Sequence, residues 1–295
     1  MKSKSNSSGL PRRSMMAALL AGPLAGCSAS GLLNTIVPRD SYKGREGVAY
    51  GSDPRQRLDI FQPLYSTKPA PMAVFFYGGS WTRGERADYR FVGEALASHG
   101  VIAVVADYRL SPQVKYPEFL RDCAQAVKWA LDHSVDLGAD PSRVHLMGHS
   151  AGAYNAAMLA LDPRWLAAVG LSPRRLAGWI GLAGPYDFLP IVNPEAQVAF
   201  NWPATPPDSQ PVTHASKVAP RTLLLAAATD DSVNPQRSTV GLARRLEAAG
   251  VPVSYKLYER VGHVTLAAAL ARPLNWLAPV LPDVLEFVGT APAAA

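Results

Sequence analysis

The run Gly148-His149-Ser150-Ala151-Gly152 sets a serine between two glycines, directly after His145-Leu146-Met147, which reads as a strand end. A strand, a sharp glycine turn and a helix in that order would push the Ser150 hydroxyl out at the strand's end. A hydroxyl so placed can attack a carbonyl, but a serine alcohol is a weak nucleophile. It needs a base to take its proton and an acid to orient that base. Both types follow later in the chain. His263 closes the run Glu259-Arg260-Val261-Gly262-His263, and Asp230 and Asp231 stand side by side after another apolar run. These types in this order suit acyl transfer, with His263 as base and one of the two aspartates as orienting acid. The attack also creates an oxyanion that needs fixed N–H donors. Ala151 offers its amide beside the serine, and the turn Tyr77-Gly78-Gly79-Ser80-Trp81 is the second candidate source.

Such residues act together only if the fold carries them to one place. Residues 56–62 read as an early strand with Leu58, Ile60 and Gln62 on one face. Continuous apolar runs at 72–77 and 101–106 read as strands covered on both sides. Further strands are expected at 143–147, 177–182, 222–227 and 251–258. Helical patterns span 88–98, 117–133, 151–161 and 236–249, and residues 273–288 contain the closing helix or helices. Pro117 sits near a helix start, where its missing N–H is not needed, and Gly250 is a suitable C-cap. This alternation predicts an α/β fold, a doubly wound, mostly parallel sheet with helices on both faces. Ligands in such folds lie at the carboxyl ends of strands. Ser150, the aspartates, His263 and the glycine turn are all expected there, His263 on a loop. Residues 188–220 break the rhythm. They are rich in proline, carry Phe200 and Trp202, and are too long for an ordinary connection, so they read as a small cap over the site. Trp81, Phe200 and Trp202 are the expected substrate-pocket residues.

As a set, YGGSW at 77–81, DYRLSP at 107–112, GHSAG at 148–152, the Asp230 loop and GH at 262–263 resemble the esterase/lipase group of α/β-hydrolases related to hormone-sensitive lipase, carboxylesterases and kynurenine formamidases. The resemblance covers nearly the whole chain after the leader. It implies the α/β-hydrolase fold with a small cap insertion. The form Asp230-x-x-Val233-x-Pro235 resembles that group's acid loop, which implies Asp230 rather than Asp231 as the acid. Gly79 and Ser80 are implied to join Ala151 as backbone oxyanion donors. Tyr77 departs from the histidine that usually opens the motif, and Ser80 from a third glycine. Backbone donation tolerates both changes, while the bonds bracing the loop are expected to differ. Ser80-Trp81 brings the loop closer to the HGGxW form of the formamidases. The implied activity is hydrolysis of carboxylic esters with short or medium acyl groups, without a cofactor. Aryl formamide hydrolysis is the alternative within enzymes. A catalytically inactive, ligand- or partner-binding lipoprotein is the alternative outside them.

Other features read more plainly. The 295 residues are 48% hydrophobic and 18% charged, enough apolar material for one large core. Net charge is +6, but residues 1–26 hold Lys2, Lys4, Arg12 and Arg13 and no acid, leaving 25 basic against 23 acidic residues. The basic balance belongs mostly to the leader, so no nucleic-acid partner is implied. Arg12-Arg13, a short apolar run and small residues form a secretory signal over 1–26. Leu24-Ala25-Gly26-Cys27 resembles a bacterial lipobox, which implies acylation of Cys27, a tether over 27–45 and a membrane-anchored, exported domain over 46–290. Cys123, the other cysteine, falls on the apolar side of a helical pattern and reads as core. His99, His133 and His145 lack metal-ligand spacing; His149 is expected to point away from the nucleophile and bond a loop, and His214, in a Pro/Thr/Ser loop that could approach the site, reads as a structural anchor. Asp107 and Arg109 are expected to form a supporting polar network.

Overall fold

The computed structural model describes residues 33–35, 37–66 and 68–290. Among them, the strands are β1 (Tyr42–Ala49), β2 (Arg57–Pro63), β3 (Ala70–Phe76), β4 (Ile102–Ala106), β5 (Ala139–His149), β6 (Gly178–Leu182), β7 (Thr222–Ala227) and β8 (Val253–Tyr258). They form one sheet in the order β1-β2-β4-β3-β5-β6-β7-β8. β2 runs antiparallel to both β1 and β4, and the remaining pairs are parallel. The helices are α1 (Arg90–Ala97), α2 (Glu118–Asp132), α3 (Ala151–Leu161), α4 (Pro163–Ala167), α5 (Pro194–Ala199), α6 (Gly241–Ala248), α7 (His263–Ala268) and α8 (Val280–Val288). The mostly parallel α/β architecture read from the sequence is the one observed.

Hydrophobic pattern explains the layering. Every residue of β3, β4, β6 and β7 is buried, as continuous apolar runs require of strands covered on both faces. α3 is buried at every position. It lies against β3, β5 and β6 with α2 on its other side, so an all-round apolar, alanine-rich sequence is what its place demands. α2 is amphipathic and buries Phe119, Leu120, Cys123, Val127, Ala130 and Leu131. Cys123 is the core residue its spacing implied, and burial pushes its thiol pKa well up.

Three local expectations need correction. β1 begins at Tyr42, inside the stretch 27–45 read as a tether; its Lys43, Arg45 and Glu46 are exposed on an edge strand, which leaves no apolar alternation to detect. His263 opens α7 rather than sitting in a loop, and six residues are too few to show a helical period. The helix expected over 236–249 starts with a π-wound turn, Gln236–Val240, before α6. Residues 188–220, expected to form a small cap, contain α5 and two 3-10 turns, Pro207–Ser209 and Pro211–His214. The signal-like segment 1–26 and Cys27 lie outside the described residues.

Candidate active site

β5 ends at His149 and α3 begins at Ala151, so Ser150 is the hinge between them. Its backbone holds φ 54° and ψ −121°, a conformation that side chains other than glycine rarely adopt. Strain of this kind costs about 1–3 kcal/mol and persists where the surroundings enforce it. Here the Ser150 amide donates to the Leu182 carbonyl at 2.8 Å, locking the turn onto the end of β6. The two glycines of the motif are required by close approach. A Cβ on Gly152 would stand 2.0 Å from the Phe76 carbonyl oxygen, and one on Gly148 would stand 2.2 Å from that of Gly152.

The turn delivers Ser150 to the other two residues. The Ser150 Oγ lies 2.8 Å from His263 Nε2, and His263 Nδ1 lies 2.8 Å from Asp230 Oδ2. Asp230 follows β7 and His263 follows β8, so both arrive at the carboxyl end of the sheet beside β5. The Asp230 side chain is wholly buried and that of His263 is 14% exposed. Burial pushes the Asp230 carboxyl pKa up, but bonds from His263 and from the Val233 and Ser232 amides outweigh it, and the net is a lowered value. Those amides donate to Oδ1 at 2.9 and 2.8 Å. Asp230, not Asp231, therefore meets the histidine; Asp231 is exposed.

The glycine turn after β3 lies against Ser150. A Cβ on Gly78 would come within 2.9 Å of Ser150 Cβ. Gly79, Ser80 and Trp81 take positive φ in succession, 126°, 52° and 59°. Among the described residues, no acceptor bonds the amides of Gly79, Ser80 or Ala151, the three expected oxyanion donors. Tyr77 braces this loop. Its ring stacks between Tyr89 and Tyr108 with centroids 5.7 and 4.8 Å away. Its hydroxyl donates to Asp107 Oδ1 at 2.9 Å and accepts from Arg55 at 2.7 Å. Burial, then the Asp107 charge, push the phenol pKa well up, so it stays a donor. Arg86 completes the cluster by binding Asp107 and Asp59. Asp107 and Arg109 thus support different things, since Arg109 pairs with Asp122. Arg55 and Arg86 carry no motif and were not expected; only their fold partners reveal them.

The pocket expectation divides. Trp81 and Phe200 are 3% and 1% exposed and pack edge to face at 4.7 Å. Phe119 and Phe188 stack on Trp81, and Trp81 Nε1 donates to Asn155 Oδ1 at 3.0 Å. This slab ties the glycine loop to α3 and to the segment holding Phe188 and Phe200. Trp202 lies elsewhere, on a groove of about 500 Å³ that it lines with Lys115, Pro194, Gln197, Val198 and Asn201. None of those residues belongs to the Ser150–His263–Asp230 chain. His214 is anchored within its own surroundings, bonded to the Asp208 carbonyl and 3.7 Å from Asp162.

The BD-FAE family matches residues 58–246, a span that includes β2 through α6. The chain belongs to the BD-FAE family. It is 28% identical over 244 residues to a probable isoprenylcysteine alpha-carbonyl methylesterase of Arabidopsis thaliana, covering 75% of this chain and 51% of that protein. Esterase LipC of Mycobacterium tuberculosis is 28% identical over 242 residues, 75% of this chain and 60% of its own. A kynurenine formamidase of Danio rerio is 25% identical over 232 residues, 76% of this chain and 75% of that one. This BD-FAE chain spans about half the length of the plant relatives it matches. Among solved structures, a bacterial heroin esterase shares the fold with TM-score 0.71 at 22% identity, over 88% of each chain.

Proposed function

We propose that the protein is a serine hydrolase that cleaves carboxylic esters with short or medium acyl groups through Ser150, His263 and Asp230. The continuous hydrogen-bonded chain from Ser150 Oγ through His263 to Asp230 carries this reading. His263 Nε2 takes the proton of Ser150 as Oγ attacks the ester carbonyl. The amides of Gly79, Ser80 and Ala151 receive the oxyanion. His263 then protonates the departing alcohol, and water repeats the cycle to release the acid. The apolar slab of Trp81, Phe188 and Phe200, built on the glycine loop, supports an apolar acyl group as the part of the substrate held there. Aryl formamides are the competing substrate, favoured by the Ser80-Trp81 sequence and the formamidase relative.

Ser150→Ala should lose turnover of p-nitrophenyl acetate and butyrate and labelling by a fluorophosphonate, with an unchanged circular dichroism spectrum. Retained activity would remove Ser150 from the mechanism, and faster turnover of N-formylkynurenine than of esters by the native enzyme would move the substrate class. The lipobox-like segment supports a membrane-anchored, exported enzyme. Cys27→Ser should then move the protein from the membrane fraction to the soluble one, and persistence in membranes would refute the anchor.

A further inference from the structure

His149 lies in the centre of the site without a part in the proton path. It is 5% exposed, and its ring centroid stands 5.1 Å from that of His263. Its Nε2 is 2.9 Å from the backbone carbonyl oxygen of His263. A carbonyl only accepts, so the proton resides on Nε2 and Nδ1 keeps a lone pair. That Nδ1 is buried with no hydrogen-bond partner. It would come 3.1 Å from a Cβ placed on Gly78, so the same ring rests on the glycine loop. Buried polar atoms without partners are scarce in folded proteins and need a reason.

We propose that His149 is a positioning residue that sets the height of the catalytic base, clamping the His263 backbone to the nucleophile turn while its other edge spaces Gly78. The inference rests on the Ser150–His263–Asp230 reading. His149 precedes the nucleophile and so moves with it. Its bond to the carbonyl of the base ties both ends of the Ser150–His263 hydrogen bond to one rigid ring. Neutrality suits that place. Burial, and next the charge on His263, hold the His149 pKa down at about 3. The ring therefore adds no second cation beside His263 when His263 takes the serine proton.

His149→Phe keeps the ring and its packing but loses the donor, and His149→Gln keeps a donor at a similar reach. The Phe variant should lower kcat about 10- to 100-fold with KM within about twofold, the size expected when a reacting group is misplaced. Fluorophosphonate labelling of Ser150 should slow in parallel, and the Gln variant should recover most of the loss. A folded Phe variant with native kcat overturns the proposal. So does a loss confined to KM, or a Gln variant no better than Phe. Nitrogen NMR of the native protein gives a check that needs no variant: His149 should be a neutral Nε2–H tautomer down to about pH 4, and an Nδ1–H tautomer refutes the clamp. Ser150→Ala separates the two ideas. If that variant stays active the mechanism itself fails, whereas an inactive Ser150→Ala beside a fully active His149→Phe removes only the clamp.

Discussion

Asp230→Asn changes one atom and should nearly silence the enzyme. The Asp230 Oδ1 accepts from the Ser232 and Val233 amides, and Oδ2 from His263 Nδ1. In the asparagine variant the two amides still need an acceptor, so the side-chain oxygen stays with them and the NH2 group turns toward His263. Two donors then face each other in a place where the Asp230 side chain has no exposure to water. The imidazole escapes by moving its proton to Nε2, which points an N–H at Ser150 and removes the lone pair that should take its proton. Forcing the useful tautomer instead forfeits a charge-assisted bond of about 1.5–3 kcal/mol and leaves buried donors unmet for about 1–3 kcal/mol more. The imidazolium also loses its counter-charge. Together these raise the barrier by about 4–5 kcal/mol, a fall in kcat of about 10³–10⁴. Steady-state turnover of p-nitrophenyl acetate reads it directly, with Asp231→Asn as the matched control on an exposed neighbour. The control should stay within about twofold of native. A kcat for Asp230→Asn within about tenfold of native, or an equal loss in Asp231→Asn, would falsify the assignment of the acid.

Two further outcomes follow from the surroundings of the site. Tyr77→Phe retains the stack with Tyr89 and Tyr108 but loses the bonds to Asp107 and Arg55. With Arg55 one-third exposed, urea unfolding should show a loss of about 1–3 kcal/mol, and kcat should fall about tenfold as the oxyanion loop loosens; no change in either measurement refutes the bracing role. Stability should also fall with acid earlier than carboxylates alone dictate. Burial lowers the pKa of His145 to about 4 and of His149 to about 3, whereas the unfolded chain takes up these protons near the usual 6.5. The unfolded state then binds more protons below about pH 6.5, and the loss grows to on the order of 3 kcal/mol for each by about pH 4. A urea midpoint that stays flat between about pH 7 and pH 4 contradicts buried, neutral histidines.

Much of the site could be read from local spacing because nucleophile turns are local devices. Gly148 and Gly152 flank Ser150 at two positions where a Cβ would strike neighbouring backbone, so the motif and its geometry coincide. The strands β3 and β4 were legible for the same reason: a strand buried on both faces writes an unbroken apolar run. β1 was not, since an exposed edge strand needs no apolar residues. Arg55 and Arg86 were silent too, because an arginine that meets its aspartate across the sheet leaves no periodic trace in the chain.

The amino-acid sequence by itself determined the α/β alternation, the strained turn at Ser150 and the order in which the acid and base follow it. The first two depend mainly on neighbours within a few residues, and the third is read directly along the chain. Only the tertiary structure decided which aspartate meets His263, that Tyr77 takes over the bracing of the glycine loop, and that His149 bonds the backbone of the base. Those outcomes depend on where β7, β8 and the loop after β3 come together, and packing across the sheet sets that to within a hydrogen bond's length.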